Sequence, residues 1–184
     1  MMLDNRTYKD KICDGVGDKN GPKYMLVGMC GGRLGCIQTG VPFTRDGSGR
    51  LLIRVLNELG YTESFERDEN PIYHKVYVTN LVKGVILDPF GNNREPNDIE
   101  IDYWRNHFLN EIADVRPRQV VAIGHLVYDA IKRMIDFGQG KHPLLLVRHP
   151  SYFLRNGALG KSTYGWEQML NEYRNVLGYH DEEV

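Results

Sequence analysis

Residues Tyr24 to Arg50 read YMLVGMCGGRLGCIQTGVPFTRDGSGR, and the order of events within them decides the fold class. Tyr24 to Val27 is an apolar run of strand length. A glycine-dense loop follows at once, carrying Gly28, Gly31, Gly32 and Gly35, and closes at Gly40-Val41-Pro42-Phe43. After a turn over Asp46 to Gly49, a helical pattern starts at Leu51. A strand that passes through a glycine-rich loop into a helix is how α/β proteins bring backbone N–H groups near a ligand. Glycine permits that approach because it has no Cβ. The same composition also suits a plain surface connection, so the role of the loop depends on the rest of the chain.

Upstream, residues 1–23 read as irregular or partly helical and end in the turn-like Lys19-Asn20-Gly21-Pro22. Downstream, Leu51, Leu52, Val55, Leu56 and Leu59 repeat at helical spacing, and Gly60 is a good stop. Glu63 to Asn70 is a charged, solvated connection. Val76 to Asn80 is a buried strand ending on a polar residue. Lys83 to Pro96 is a long loop containing Pro89 and Gly91, and loops of that length tend to be functional. Asn97 or Asp98 caps a helix to about Asp114, with Ile101, Trp104, Phe108 and Ile112 facing inward. A strand over Gln119–Gly124, a helix from His125 to Phe137, a strand over Leu144–Val147 and a helix over Gly165–Leu177 complete the order. The acidic end His180–Val184 is expected to fray. Strands alternating with helices predict a parallel sheet covered on both faces. One domain over residues 1–184 is expected, with 1–23 and 179–184 peripheral.

The whole-chain properties narrow the function classes. With 184 residues, 41% hydrophobic and 26% charged, the composition is that of an ordinary globular protein. No run approaches the ~20 apolar residues of a membrane span, and the polar N-terminus lacks a signal-peptide core. A cytoplasmic protein with no membrane partner is the expectation. The net charge of −1 means that any nucleic-acid contact needs a local basic face. Cys13, Cys30 and Cys36 form no CxxC pair, and free thiols are expected. The six histidines show no metal-ligand spacing.

Polar residues gather just past the strands, where open parallel sheets bind ligands. Asn80 offers an amide that can pair with a base edge, or it is a strand-end turn residue. His149 can hydrogen-bond a developing oxyanion or shuttle a proton, or it is held structurally by Pro150. Phe43 beside Pro42 is either a stacking platform or core. Tyr152, Phe153, Leu154 and Arg155 suit insertion into a duplex beside phosphates, or form a helix-start staple.

The ordered set of motifs resembles the uracil-DNA glycosylase superfamily, most of all its family 4-like branch. The matching pieces are Val27-Gly28-x-x-x-Gly32, Gly40-Val41-Pro42-Phe43, Gly49-Arg50-Leu51-Leu52, Val76 to Lys83, Asn93-Arg94-Glu95-Pro96, Arg116-Pro117 before Val120 to Gly124, and His149 to Arg155. The resemblance implies a three-layer α/β/α fold around a central parallel four-stranded sheet. It also implies a DNA glycosylase that takes a flipped-out nucleotide and hydrolyses its N-glycosidic bond. In that scheme Gly28, Gly31, Gly32, Phe43 and Asn80 hold the base, and His149 stabilises the departing anion. Ser48, Arg50, Ser151, Tyr152, Leu154 and Arg155 would contact DNA, and the protein would act as a monomer.

The chain departs from the branch in two places. Family 4 carries an iron–sulfur cluster on four cysteines, whereas Gly84 and Trp104 stand near two of those positions and only Cys13 is a possible remnant. Three cysteines cannot supply four thiolates. No cofactor and no metal are expected, with the Lys83–Pro96 loop held by packing. The first motif also lacks the family's proline and carboxylate or amide. Gln38 and Asp46 are the nearest groups to position water, Cys30 is a third, and backbone carbonyls could serve. Gly31 and Gly32 could widen the pocket for a bulky base such as glucosylated hydroxymethylcytosine in phage DNA, which would make the role antiviral. Two alternatives stay open: a DNA-binding module that has lost hydrolysis, and a nucleotide-binding enzyme, although the loop matches neither GxGxxG nor GxxxxGK[ST].

Overall fold

A computed structural model describes residues 12–136, 143–159 and 163–178. The expectations for residues 1–11, for Phe137 and for His180–Val184 lie outside the described residues. The strands are β1 (Val16–Gly17), β2 (Tyr24–Gly31), β3 (Val76–Val85), β4 (Gln119–Ile123) and β5 (Leu144–Val147). The helices are α1 (Cys36–Thr39), α2 (Gly47–Glu58), α3 (Asp98–Val115), α4 (His125–Asp136), α5 (Pro150–Arg155) and α6 (Tyr164–Leu177). They form one sheet of order β1-β3-β2-β4-β5. The four strands from β3 to β5 are parallel. The short β1 adds an antiparallel edge that periodicity could not reveal in two residues.

Alternation along the strands builds the layers. Tyr24, Leu26, Val76, Val78, Val121 and Ile123 face one way, against Leu52 and Leu56 of α2, Phe153 of α5 and Tyr173 of α6. Met25, Val27, Tyr77, Val120 and Ala122 face the other way, against Phe108 and Ile112 of α3 and Ile131 of α4. The result is a three-layer α/β/α fold. No helix among the described residues is long and apolar enough to cross a membrane.

β2 runs on through Gly28 to Gly31, paired with β3, where the glycine loop was expected to begin. Four further local departures from the sequence reading have physical causes. First, β3 runs to Val85 with every residue buried, where a loop from Lys83 was expected. The Lys83 ammonium meets the Glu111 carboxylate of α3 and the Thr79 hydroxyl, and Glu111 also accepts from Tyr77 and Thr79 at 3.0 Å each. A lysine neutralised across 28 residues lets the strand continue into the core. Second, α2 starts at Gly47 rather than Leu51, because Asp46 caps it by accepting the Gly49 N–H at 2.8 Å. Third, α5 stands where only a loop or staple was read. His149 is its N-cap and Pro150 its first residue.

The fourth departure concerns cysteine. Cys13 and Cys36 are paired as a disulfide with Cα atoms 6.1 Å apart, within the usual span for such a bond. The free-thiol expectation therefore holds for Cys30 and not for this pair. A hydrogen bond from the Cys13 N–H to the Lys83 carbonyl (2.9 Å) lays the N-terminal segment along β3.

Polar contacts, rather than packing alone, hold the segment from Ile86 to Arg94. The Arg94 N–H donates to the Ile86 carbonyl at 3.0 Å, and its guanidinium grips Glu100 in bidentate fashion at 2.7 and 2.8 Å. Glu100 also completes a capping box with Asn97, which fixes the expected start of α3. The Glu63–Asn70 connection is likewise tied down, by Arg50–Glu66 at 3.0 Å and Arg45–Glu69 at 3.3 Å.

The chain leaves β2 toward β3 on one side and leaves β4 toward β5 on the other. A crevice therefore opens beyond the carboxyl ends of β2 and β4, where open α/β sheets place their ligands.

Candidate active site

A cavity of about 490 Å³ fills that crevice, a size typical of small-molecule sites. All four parallel strands reach it. β2 contributes Met29, Cys30 and Gly31, β3 contributes Asn80, β4 ends in it at Ile123 and Gly124, and β5 delivers His149 and Ser151. Phe43, Asp46 and Ser48 come from the glycine loop and the start of α2.

Asn80 is buried, and its Oδ1 has no hydrogen-bond partner within the protein. Buried amide oxygens are almost always satisfied, so this one marks a place for a donor from outside. It lies over Gly28, its register partner on β2. A Cβ on Gly28 would stand 2.5 Å from Asn80 Oδ1 and would collide with the Phe43 ring. Gly28 is thus a floor beneath the two side chains rather than a contact surface of the cavity. Phe43 itself adopts a left-handed backbone (φ 54°), as does Arg45 (φ 67°). Non-glycine residues reach that region only when their surroundings force it. Here the forcing is visible: Thr44 Oγ1 donates to the Val41 carbonyl (2.9 Å) and pairs with Thr39 Oγ1 (2.6 Å), and Gly49 packs directly on the Phe43 carbonyl.

His149 is oriented by its own helix. Its Nδ1 accepts the Ser151 N–H at 3.2 Å and lies 2.9 Å from Ser151 Oγ. With Nδ1 an acceptor, the ring proton of the neutral form sits on Nε2. Burial pushes the imidazole below its ordinary pKa, which keeps it neutral. The strand end that delivers it is clamped by α6. Glu172 accepts both the Arg148 N–H and its Nε at 2.6 Å, and the Tyr173 hydroxyl donates to the Arg148 carbonyl at 3.1 Å.

Of the groups considered for positioning water, the structure brings one carboxylate to the cavity. Asp46 lines it and receives N–H groups of Gly49 and Ser48. Burial raises its carboxyl above the ordinary value. Its Oδ2 occupies the space beside Gly32 and Gly35, where a Cβ would come within 2.9 and 3.0 Å. Gln38 is exposed on α1 and does not reach the cavity wall. Cys30 does, but burial pushes its thiol up to about 11, so it stays protonated. Gly31 makes room for Cys36, whose Sγ would meet a Cβ at 2.5 Å. Gly31 and Gly32 thus border the cavity and at the same time leave room for neighbouring protein atoms.

The expected DNA-contacting residues are dispersed. Ser48 and Ser151 lie on the cavity, whereas Arg50 is bound to Glu66. Tyr152 is covered by the Arg148 guanidinium at 4.5 Å. Leu154 leans on Gly47 at the start of α2, and Arg155 is exposed. Not singled out as site residues from sequence were Met29, Asn93, Arg94 and Leu126 of the cavity wall. Asn93 and Arg94 sat inside a quoted motif, which was the available signal.

The residues do not fit a four-thiolate cluster. Cys13 is bonded to Cys36 and Cys30 faces the cavity. Among the described residues, no group of three or more His, Cys, Asp or Glu could hold a metal ion.

Fold and site together define an open α/β domain whose ligand cavity sits at the switch point of a parallel sheet, walled by an amide, an imidazole, a carboxylate and an aromatic ring. The chain belongs to the uracil DNA glycosylase superfamily, whose family model matches residues 15–172. It is similar to the type-5 uracil-DNA glycosylase of Pyrobaculum aerophilum, 34% identical over 122 residues that make up 65% of this chain and 51% of the relative. It is also similar to the type-5 uracil-DNA glycosylase of Thermus thermophilus, 29% identical over 150 residues, or 79% of this chain and 64% of the relative. Both names favour a family 5-like branch over the family 4-like one. The chain spans between half and two thirds of the length of these relatives.

Proposed function

We propose that this protein is a DNA glycosylase that removes uracil from DNA and leaves an abasic site. The observation that carries the reading is the unpartnered Asn80 Oδ1 facing the same cavity as His149, Asp46 and Phe43. Uracil presents an imide N–H where cytosine has a bare ring nitrogen. An amide can accept that N–H and donate to the neighbouring carbonyl. A base entering edge-on to Asn80 meets Phe43 as its stacking face.

Hydrolysis then breaks the bond between C1′ and the base nitrogen, with the electron pair leaving on the base. The negative charge that develops on the base is met by the Nε2–H of neutral His149, a preorganised donor in a water-poor site. Water adds to C1′, and its proton passes to Asp46, whose raised pKa suits a base. The expelled anion takes up a proton on release. Family membership and the two type-5 uracil-DNA glycosylase relatives support this assignment.

The alternative of a non-hydrolytic DNA-binding module drew its motive from a missing carboxylate, and Asp46 supplies one. A larger modified pyrimidine, with a role against phage DNA, is the finer reading of the cavity's size. The test is base release from oligonucleotides that contain uracil, 5-hydroxymethyluracil, or hydroxymethylated or glucosylated cytosine. Release of uracil is expected. Cleavage confined to the bulky bases would transfer the protein to phage defence, and release from none would sink the glycosylase reading.

A further inference from the structure

The cavity accounts for one extruded nucleotide but leaves part of its rim without a purpose. Phe90 is 88% exposed and Leu34 is 65% exposed, on two adjoining turns at the β2 and β3 ends of the site. Phe90 stands at the tip of a turn closed by a bridge between Leu87 and Asn93. Asp88 Oδ1 accepts the N–H groups of Phe90 and Asn92, both at 2.8 Å, and the Asp88 N–H donates to the Asn92 carbonyl at 2.8 Å. The turn is thus braced to hold an aromatic ring out in water, an arrangement that adds nothing to the core.

The second turn is fastened to the first. The Arg33 N–H donates to Asn93 Oδ1 at 3.0 Å. The Arg33 guanidinium passes Gly91 closely enough that a Cβ there would lie 3.9 Å from Nη1. An aromatic ring, an aliphatic side chain and a cation are therefore presented together, while Gly32, Asn93 and Arg94 of the same turns line the cavity. The Asp88 carboxylate, on the Phe90 turn itself, is turned to the N–H groups of that turn. α5 and its exposed Arg155 follow β5, at the opposite edge of the parallel strands from β3.

We infer that Phe90 is a stacking finger for DNA, on which a base flanking the extruded nucleotide rests, with Leu34 beside it and Arg33 toward a backbone phosphate. The inference rests on the reading of the substrate as DNA. Rings of this kind hold bases without regard to sequence. A strand crossing the cavity would then be gripped on both sides, by the Phe90 turn and by the α5 side.

The test uses the full chain and a single-stranded oligonucleotide carrying one uracil or one stable abasic-site analogue. Phe90→Ala is expected to weaken binding about ten- to a hundredfold, the loss of one base–aromatic stack. It should raise KM while leaving kcat at saturation unchanged, as for an interaction made equally in ground and transition states. Phe90→Trp should restore affinity, and the added indole's emission should be quenched by the oligonucleotide. Equal affinity of parent and Phe90→Ala, with an unquenched indole in Phe90→Trp, would overturn the finger and leave the glycosylase reading intact. Binding that depends on Phe90 without base release would support the finger and sink the glycosylase reading. A parent that binds no DNA, or a Phe90→Ala effect seen only on self-association, overturns the inference.

Discussion

Asn80 Oδ1 lies 2.5 Å from the point that a Cβ on Gly28 would occupy, and Cζ of the Phe43 ring lies 2.4 Å from the same point. The amide and the aromatic wall therefore share one floor, and only glycine can be that floor. Gly28→Ala should displace one or both side chains at a cost of about 1–3 kcal/mol in stability, the usual penalty of overpacking. Excision of uracil should fall far more than the shift in the urea midpoint accounts for. Wild-type excision by the variant would remove Phe43 and Asn80 from the site.

Asp46 caps α2 and, in the proposed mechanism, takes a proton from water, and one substitution can separate the two. Asn caps helices about as well as Asp, so Asp46→Asn should keep α2 and the denaturation midpoint. Loss of the ionised base should lower kcat by about 10²–10⁴-fold. In the proposed mechanism the active form carries the carboxylate, whose pKa burial raises. Activity should therefore be present above that pKa and vanish as pH falls through it, with an acid limb shifted upward from that of an ordinary aspartate. A limb at the ordinary position would argue against Asp46.

His149 should appear as a neutral, Nε2-protonated imidazole at neutral pH in a nitrogen-resolved NMR spectrum, because Nδ1 is bonded to the Ser151 N–H. Burial lowers its pKa in the folded state. Its contribution to stability is therefore present above the unfolded histidine value and is lost as pH falls toward the folded one. His149→Ala should cost about 10²–10³ in kcat, the scale of one lost oxyanion donor. A cationic ring at neutral pH would contradict the proposed mechanism.

Glu111→Ala would leave the fully buried Lys83 ammonium without its carboxylate. Breaking such a pair destabilises by about 3–5 kcal/mol, read as a fall in the urea midpoint. Burial already lowers the Lys83 pKa, and Glu111 opposes that shift. In the variant the lysine should become easier to deprotonate, so the lost stability should be partly recovered as pH rises. A pH-independent loss would mean that the charge is not the cause.

Local pattern made much of the sheet legible, because β4, β5 and the Tyr24–Val27 start of β2 are short apolar runs that need no distant partner to be read. His149 was legible for a related reason, since it follows the end of β5, whereas Asn80 was read as a strand end and lies in the middle of β3. What stayed hidden depends on pairs far apart in sequence. The extension of β3 requires Glu111, 28 residues beyond Lys83, and the Cys13–Cys36 bond joins a residue held against Lys83 of β3 to the first residue of α1. Asp46 and Gln38 looked equivalent as neighbours of the glycine loop. Only the early start of α2 turns the first inward, while α1 turns the second outward.

The cavity has a kinetic consequence as well. Its walls are drawn from residues as distant in the chain as Met29 and Ser151, and β2 must pair with both β3 and β4 before they meet. Non-local parallel pairings close late because loop entropy opposes them. In refolding, the recovery of base release should trail the recovery of helical signal, making turnover a reporter of the last strand to dock.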